Sequence, residues 1–315
     1  MSSDIQPLVV TVPSATLLDD LTPAPEGVEI LEWDMRDPAP RARLDIVVPP
    51  YMRGPRVLKA LAGLDVGLVQ GQSIGFDGIA ENLPAGNVFA NAASVHEAST
   101  AELAVALTLA AQRELPRFVR AQDAARWDGP GPSGVSVESL ADRRVLLVGF
   151  GGVGKGIAVR LAGFEAEVTA VASRGRVEEG IQVHAMSDIQ SLLPAAEIVI
   201  LSLPATAETV GIVDDAFLSA LPDGALIVNV GRGPLVDTAA LIDHVTRGRI
   251  RAALDVMVPE PLPSDHALWT LPGVILTPHV GGASSAMRPR IAKLVCTQIE
   301  RMRAGEEPLN VVIRN

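Results

Sequence analysis

The chain has 315 residues, of which 48% are hydrophobic and 20% are charged, and its formal net charge is −11. A chain of this length is expected to form two domains, and the acidic balance argues against nucleic acid or an anionic membrane as a general partner. The single cysteine, Cys296, excludes an internal disulfide and predicts a cytoplasmic protein. Its setting in an amphipathic stretch favours a core thiol over a nucleophile. Neither a secretory signal nor a membrane span is expected, because no apolar segment approaches the roughly 18 residues that cross a bilayer.

The first part of the chain predicts a parallel α/β unit, because β-rich runs alternate with a helical stretch. The predicted strands are residues 8–12, 28–33, 44–48 and 66–70, and the predicted helix is residues 55–64. A glycine-rich loop, 71–78, follows the last of these strands and contains Ser73, Ile74 and Gly75. Ligands of such sheets bind beyond the carboxyl ends of the strands. This loop is therefore a candidate ligand site, with a plain turn as the alternative.

A long helix is predicted over residues 99–113, capped by Ser99 with Glu102 at the capping-box spacing. An irregular connection, 127–136, follows it and contains Gly-Pro-Gly-Pro.

A glycine motif organises the middle of the chain. Four apolar residues, 145–148, predict a buried parallel strand, and Gly149, Gly151 and Gly154 follow with the spacing G-x-G-x-x-G before a helix. These glycines allow a tight turn, close approach to a pyrophosphate and close helix–strand packing, and the helix N-terminus favours phosphate. The motif therefore predicts a dinucleotide site, with a ligand-free turn as the alternative. A nucleoside-triphosphate P-loop is rejected, because Gly156 stands where that loop needs Ser or Thr.

The segment after the second strand, 167–172, indicates which dinucleotide binds. A fold that prefers NAD places Asp or Glu about 20 residues beyond the glycines. This chain has Ser173-Arg174-Gly175-Arg176 there. Two guanidinium groups and a hydroxyl suit a 2′-phosphate, so NADP is favoured over NAD. A solvated basic turn is the alternative.

Further strands are predicted at residues 197–201, 225–229, 251–255 and 274–276, and helices at 214–221, 238–247 and 284–304. Arg232, Glu260 and His279 follow three of these strands. Singly, each residue is more easily explained as a surface ion-pair partner, a solvated charge or a loop histidine. Together, at successive carboxyl ends of one parallel sheet, they predict a catalytic site.

The chain resembles the D-isomer-specific 2-hydroxyacid dehydrogenases from about residue 44 to its end. The matching segments are the glycine motif, Leu203-Pro204 with Thr209, Val230-Gly231-Arg232-Gly233, Leu254-Asp255-Val256 with Glu260, and Thr277-Pro278-His279. The resemblance implies two parallel-sheet α/β domains of the Rossmann-like or flavodoxin-like kind, with the cofactor domain inserted into the substrate domain. The substrate-binding domain would comprise residues 1–93 and 283–315, and the dinucleotide-binding domain residues 94–282. A homodimer built largely from cofactor-domain surfaces and an active site in the interdomain cleft are also implied.

The resemblance also implies residue roles. Arg232 would bind the carboxylate of a small 2-oxo acid and polarise its ketone, His279 would be the acid/base, and Glu260 would raise the pKa of His279. Asp255 would orient the nicotinamide side. The implied cofactor-binding residues are Gly149, Gly151, Gly152, Val153, Gly154, Ser173, Arg174, Arg176, Leu203, Pro204, Thr209, Val230, Asp255, His279 and Gly281. The implied substrate-binding residues are Ser73, Ile74, Gly75 and Arg232. No metal is predicted.

Departures from related sequences narrow the expected substrate. Relatives that oxidise phosphite carry lysine in place of Ile74, and relatives that oxidise formate carry glutamine in place of Glu260. Because the sequence ends at Asn315, shortly after its closing helix, the regulatory extension of many phosphoglycerate dehydrogenases is not expected. The sequence therefore predicts reduction of glyoxylate or hydroxypyruvate, in a pocket that Tyr51 and Arg53 help to shape. Two alternatives are a phosphoglycerate dehydrogenase-like enzyme and a dinucleotide-sensing corepressor of the C-terminal-binding-protein type, because fold does not decide function.

Overall fold

The computed structural model of the chain describes residues 6–129 and 137–315. Most of the irregular connection that the sequence predicts at 127–136 lies outside these residues. The chain divides into two compact units, one comprising Met1–His96 with Ala283–Asn315 and the other Glu97–Gly282. The first division therefore falls after His96 rather than after residue 93, and the second falls between residues 282 and 283. Which unit binds substrate stays a prediction.

The strands are β1 (Leu8–Val12), β2 (Val28–Glu32), β3 (Arg43–Val47), β4 (Asp65–Gln70), β5 (Val88–Ala90), β6 (Arg144–Val148), β7 (Glu167–Ala172), β8 (Arg176–Glu178), β9 (Ile181–Ala185), β10 (Ile198–Leu201), β11 (Ala225–Asn229), β12 (Ile250–Leu254), β13 (Val274–Leu276) and β14 (Val311–Arg314). The α-helices are α1 (Ala15–Asp20), α2 (Glu97–Gln112), α3 (Leu115–Asp123), α4 (Gly152–Ala162), α5 (Ile189–Leu192), α6 (Asp215–Ala220), α7 (Thr238–Thr246) and α8 (Met287–Arg303). Short 3₁₀ helices cover Pro55–Leu61, Met186–Asp188, Leu193–Ala195, Gly233–Leu235 and Ala267–Trp269.

The first unit is built on a six-stranded sheet with the order β14-β5-β4-β3-β1-β2. All neighbouring strands are parallel except β14, which pairs antiparallel with β5. Helix α8 packs its apolar residues, among them Ile291 and Val295, into the core against this sheet. The buried amide of Gln298 also donates to Gln70 Oε1 at 2.7 Å, which ties α8 to the end of β4.

The second unit is built on an eight-stranded sheet with the order β13-β12-β11-β10-β6-β7-β9-β8. Only β8 runs antiparallel to its neighbour. The central strands β6, β10 and β11 are nearly continuous runs of buried Val, Leu and Ile, as expected for strands covered on both faces. Because the strands are parallel, the carboxyl ends of β6, β10, β11, β12 and β13 meet at one edge of the sheet. The predicted fold class, two parallel-sheet α/β domains, is confirmed.

Several local predictions were wrong. Helix α2 begins at Glu97, so Ser99 lies in its first turn and is not the N-cap. The stretch predicted as a helix at 55–64 is a 3₁₀ helix, and α8 begins at Met287 rather than at residue 284. Local spacing also did not reveal α1, α3, the hairpin β8–β9, or the strands β5 and β14. In the part of the chain that the structure describes, no helix is both long enough and apolar enough to cross a membrane.

Candidate active site

The glycine loop joins β6 to α4, and two of its glycines are required by packing. Gly149 has φ +101°, and a Cβ there would lie 2.9 Å from the backbone nitrogen of Leu203. A Cβ at Gly154 would lie 2.2 Å from the carbonyl oxygen of Gly149. A Cβ at Gly151 would meet nothing within 4 Å. The second glycine therefore faces open space, where a phosphate group could approach the backbone.

Helix α4 begins at this open space. Its N-cap is Gly151, and among the described residues no side chain caps the helix. The first N–H groups of a helix have no intrahelical acceptor, and the helix dipole makes this end positive. Gly152 and Val153 supply N–H groups of this kind. The loop therefore fits the pyrophosphate of a dinucleotide.

The segment after β7 carries the predicted 2′-phosphate residues. Ser173 and Arg174 follow the strand directly, and Arg174 is exposed. Arg176 Nη2 donates to the carbonyl of Phe150 at 3.3 Å, so this guanidinium lies against the glycine loop. Arg176 also contacts Glu178, a carboxylate that the sequence reasoning did not consider.

The loop after β11 places Arg232. Asn229, fully buried at the strand end, donates to the carbonyl of Arg232 at 2.9 Å and accepts from the N–H of Gly231 at 3.0 Å. Arg232 Nη1 donates to the carbonyl of Gly231 at 2.7 Å. A Cβ at Gly233 would lie 2.2 Å from the carbonyl oxygen of Met257, so the loop is closely packed. Asn229 is thus a positioning residue that the sequence motifs did not reveal.

His279 and Glu260 form a hydrogen-bonded pair. His279 Nδ1 lies 2.8 Å from Glu260 Oε2, and Glu260 Oε1 accepts from the N–H of Met257 at 2.9 Å. The hydrogen bond to Glu260 raises the pKa of His279 above its usual value, although burial opposes this. Burial also opposes ionisation of Glu260, but hydrogen bonds from His279 and Met257 outweigh it and lower the pKa of Glu260. A carboxylate accepting from Nδ1 leaves Nε2 as the atom that can give or take a proton.

Arg232 affects the pKa values of the His279–Glu260 pair. Its positive charge lowers the pKa of both Glu260 and His279, so the three side chains share one electrostatic environment. The structure therefore brings together the residues that follow β11, β12 and β13. Their catalytic roles stay predictions.

Asp255 holds the loop that carries His279. Its side chain is buried, and its Oδ1 accepts from Thr277 Oγ1 at 2.6 Å and from the N–H of Val280 at 2.9 Å. Its Oδ2 accepts from the N–H of Gly281 at 2.8 Å. His279 has φ 55°, a left-handed conformation that costs an L residue about 1–2 kcal/mol. Asp255 and Gly281 thus stabilise this strained turn, whereas their contact with a cofactor stays a prediction.

The remaining predicted cofactor residues shape neighbouring loops. Leu203 and Val230 are buried beyond the ends of β10 and β11. Thr209 Oγ1 donates to the carbonyl of Pro204 at 2.8 Å and accepts from the N–H of Thr206 at 2.7 Å. Both hydrogen bonds lie within residues 204–209, so Thr209 stabilises the loop to which it belongs. Direct contact of these residues with a dinucleotide stays a prediction.

The predicted substrate loop belongs to the first unit. The carbonyl of Ser73 accepts from the N–H of Ala92 at 2.9 Å, and the carbonyl of Ile74 accepts from Asn91 Nδ2 at 2.8 Å. Both hydrogen bonds hold the turn that continues to Gly75. Substrate binding by this loop stays a prediction.

Of the two residues predicted to shape the substrate pocket, Tyr51 is partly buried and Arg53 is exposed. The ring of Tyr51 stacks on His96 with centroids 5.7 Å apart, and His96 Nε2 lies 2.5 Å from the carbonyl oxygen of Gln72. A cavity of about 240 Å³ has Tyr51 and Gln72 among its lining residues.

The family model described as "D-isomer specific 2-hydroxyacid dehydrogenase, NAD binding domain" matches residues 105–281, more than half of the chain. The chain belongs to this family. The predicted class, an NAD(P)-dependent oxidoreductase, is thereby confirmed for this 2-hydroxyacid dehydrogenase.

Relatives of this dehydrogenase include enzymes with different substrates in their names. Glyoxylate reductase of Thermofilum pendens is 32% identical over 242 residues, which are 75% of this chain and 71% of that protein. D-3-phosphoglycerate dehydrogenase of Mycobacterium bovis is 35% identical over 226 residues, which are 70% of this chain but only 42% of that protein.

A solved structure extends the similarity over nearly the whole dehydrogenase. It is the NADPH-dependent glyoxylate/hydroxypyruvate reductase of Sinorhizobium meliloti in complex with NADP and malonate. The two chains are 28% identical, with a TM-score of 0.76, and the match covers 98% of this chain and 97% of the other.

Proposed function

We propose that this protein reduces a small 2-oxo acid of the glyoxylate and hydroxypyruvate class to the corresponding 2-hydroxy acid, the D isomer where the product is chiral, with NADPH as the reductant. The observation that carries the proposal is the cluster of Arg232, Glu260 and His279 at the sheet edge that also holds the glycine loop. A cation, a proton donor and the carboxylate that stabilises its protonated form are the groups that this reduction needs.

Each residue of the cluster has one task in this mechanism. A bound nicotinamide cofactor supplies the hydride. The guanidinium of Arg232 binds the substrate carboxylate through two parallel hydrogen bonds and polarises the adjacent ketone. His279 Nε2 gives a proton to the ketone oxygen as negative charge develops there. Glu260 stabilises the imidazolium through Nδ1, and in the oxidative direction neutral His279 takes the proton back.

The substrate class is supported by the names of two relatives and by an apolar side chain. Both the Thermofilum and the Sinorhizobium proteins are named as glyoxylate reductases. Ile74 in the predicted substrate loop carries no charge for a phosphate group. Steady-state turnover of glyoxylate, hydroxypyruvate and 3-phosphohydroxypyruvate, each with NADPH and with NADH, tests this. We expect the highest kcat/KM for an unphosphorylated acid. A preference for the phosphorylated acid would instead favour a phosphoglycerate dehydrogenase-like enzyme, and no turnover of any acid would contradict the proposal.

Replacing Arg174 with alanine should weaken NADPH binding about tenfold to a hundredfold, because a charged hydrogen bond is worth roughly 1.5–3 kcal/mol. NADH lacks the 2′-phosphate and should bind almost as before. Fluorescence titration of both cofactors measures the difference. Arg247→Ala, at the exposed C-cap of α7, is the matched control. Wild-type protein that has the higher kcat/KM with NADH would refute the NADPH preference.

A homodimer is the predicted assembly, and the described surface offers a patch for it. Leu115, Val119 and Trp127 lie on and just after α3 with 48%, 55% and 95% of their surface exposed. Val119→Asp should shift the protein from dimer to monomer in sedimentation velocity, because burying a charge in an interface is costly. Val177→Asp makes the same change at another exposed valine and should leave the dimer intact. Monomeric wild-type protein would contradict the proposal.

The surroundings of Cys296, the single cysteine, support a structural role for its thiol. It is half-buried on α8, where burial and then the charge of Glu300 raise the pKa of the thiol, so the nucleophilic thiolate is disfavoured.

We also propose a cytoplasmic location, because a chain with one cysteine has no internal disulfide to form in an oxidising compartment.

A further inference from the structure

Three charged side chains form an ion cluster next to the glycine loop. Lys155 Nζ on α4 lies 2.5 Å from Glu178 Oε1, and Arg176 Nε on β8 lies 2.7 Å from Glu178 Oε2. The carboxylate of Glu178 thus bridges two cations from different elements. Both cations lower the pKa of Glu178, so it carries its full charge at neutral pH.

The position of this cluster relates it to the dinucleotide. Arg176 also donates to the carbonyl of Phe150, which lies between the first two glycines of the motif. In a dinucleotide fold, the segment after the second strand meets the 2′ position of the adenosine ribose. The cluster therefore lies where the 2′-phosphate of NADPH would arrive.

We propose that Lys155 joins Arg174 and Arg176 in the 2′-phosphate subsite and that Glu178 is a counter-charge which the phosphate displaces. This inference rests on the proposed use of NADPH. Without cofactor, the carboxylate neutralises two neighbouring cations that would otherwise repel each other. A 2′-phosphate carries up to two negative charges and can take over both contacts.

Because the cluster is partly exposed to water, replacing Glu178 by the phosphate as the partner of the two cations costs little free energy. The side chains of Lys155, Arg176 and Glu178 are 35%, 38% and 29% exposed. Water-exposed ion pairs are weak, so the carboxylate can release its partners at little cost. After release it remains on the same hairpin, close enough to repel the phosphate. Glu178 therefore limits the preference for NADPH.

Glu178→Gln should lower the NADPH dissociation constant about threefold to tenfold, because it removes both the competing carboxylate and the repulsion. The NADH dissociation constant should change far less. Glu300→Gln is the matched control, because it removes the same charge from an exposed position on α8, in the unit that does not hold the cluster. A thermal unfolding curve checks that both variants fold.

Lys155→Gln should have the opposite effect and weaken NADPH about fivefold, with little change in NADH binding. Lys293→Gln, an exposed lysine on α8, controls for the loss of one positive charge.

Two results would overturn the inference. If Glu178→Gln weakens NADH, the carboxylate binds the ribose hydroxyls and favours NAD. If both cofactors bind Glu178→Gln as they bind Glu300→Gln, the cluster only attaches the hairpin to α4. The wild-type ratio of NADPH to NADH affinity, measured in the same titrations, tests the proposed cofactor separately from the role of Glu178.

Discussion

Replacing His279 with alanine should lower kcat for 2-oxo acid reduction about 10²–10⁴-fold, the usual contribution of a positioned general acid. NADPH affinity should change little, because the imidazole acts on the substrate oxygen. His184→Ala, in the same unit, is the control histidine and should retain activity. Equal losses in both variants would indicate a folding defect and contradict the assigned role.

Glu260→Gln tests the same pair through its pH dependence. Glu260 raises the pKa of His279, so removing its charge should lower that pKa. Reduction needs protonated His279, so its activity should be lost at lower pH than in the wild type. Oxidation of the hydroxy acid needs neutral His279, so its activity should appear at lower pH as well. Profiles of kcat/KM in both directions that superimpose on the wild type would exclude the pairing.

Arg232→Lys should raise the KM for the 2-oxo acid about tenfold to a hundredfold, because lysine keeps the charge but loses the bidentate fork. Cofactor affinity should hold, since the substrate carboxylate is the group that loses its partner. Arg247→Lys, at the C-cap of α7 and paired with Asp243, is the matched substitution outside the site. If Arg232→Lys weakens substrate and cofactor binding equally, Arg232 supports the fold rather than the substrate.

The edge of the eight-stranded sheet that holds the glycine loop could be predicted from the sequence, because the strands that end there have recognisable local sequence patterns. Buried parallel strands are continuous apolar runs, and glycines with the G-x-G-x-x-G spacing identify the turn after β6. The positions of Arg232 and His279 after their strands then followed from chain order. The pairing of His279 with Glu260 was predicted from the family resemblance alone, because no local spacing joins residues that are distant in the chain.

The parts that were missed depend on contacts between distant segments. Strand β8 has only three residues, which is too short for a recognisable sequence pattern. The ion pair between Glu178 of this strand and Lys155 of α4 could therefore not be predicted. The place of Asp255 on the nicotinamide side stays a prediction, but the sequence did not show that both of its carboxylate oxygens accept hydrogen bonds from the His279 loop. The capping box at Ser99 failed because packing prevailed over local preference: α2 starts earlier and buries Thr100 and Ala101.

Hydride transfer itself gives the most direct test of the central claim. Wild-type protein would be incubated with hydroxypyruvate and NADPH in which both hydrogens at the reactive carbon of the nicotinamide are deuterium. We predict D-glycerate with deuterium on the carbon that bears the new hydroxyl group, and almost no labelled product with His279→Ala. Unlabelled glycerate, L-glycerate, or no glycerate from the wild-type protein would contradict the account.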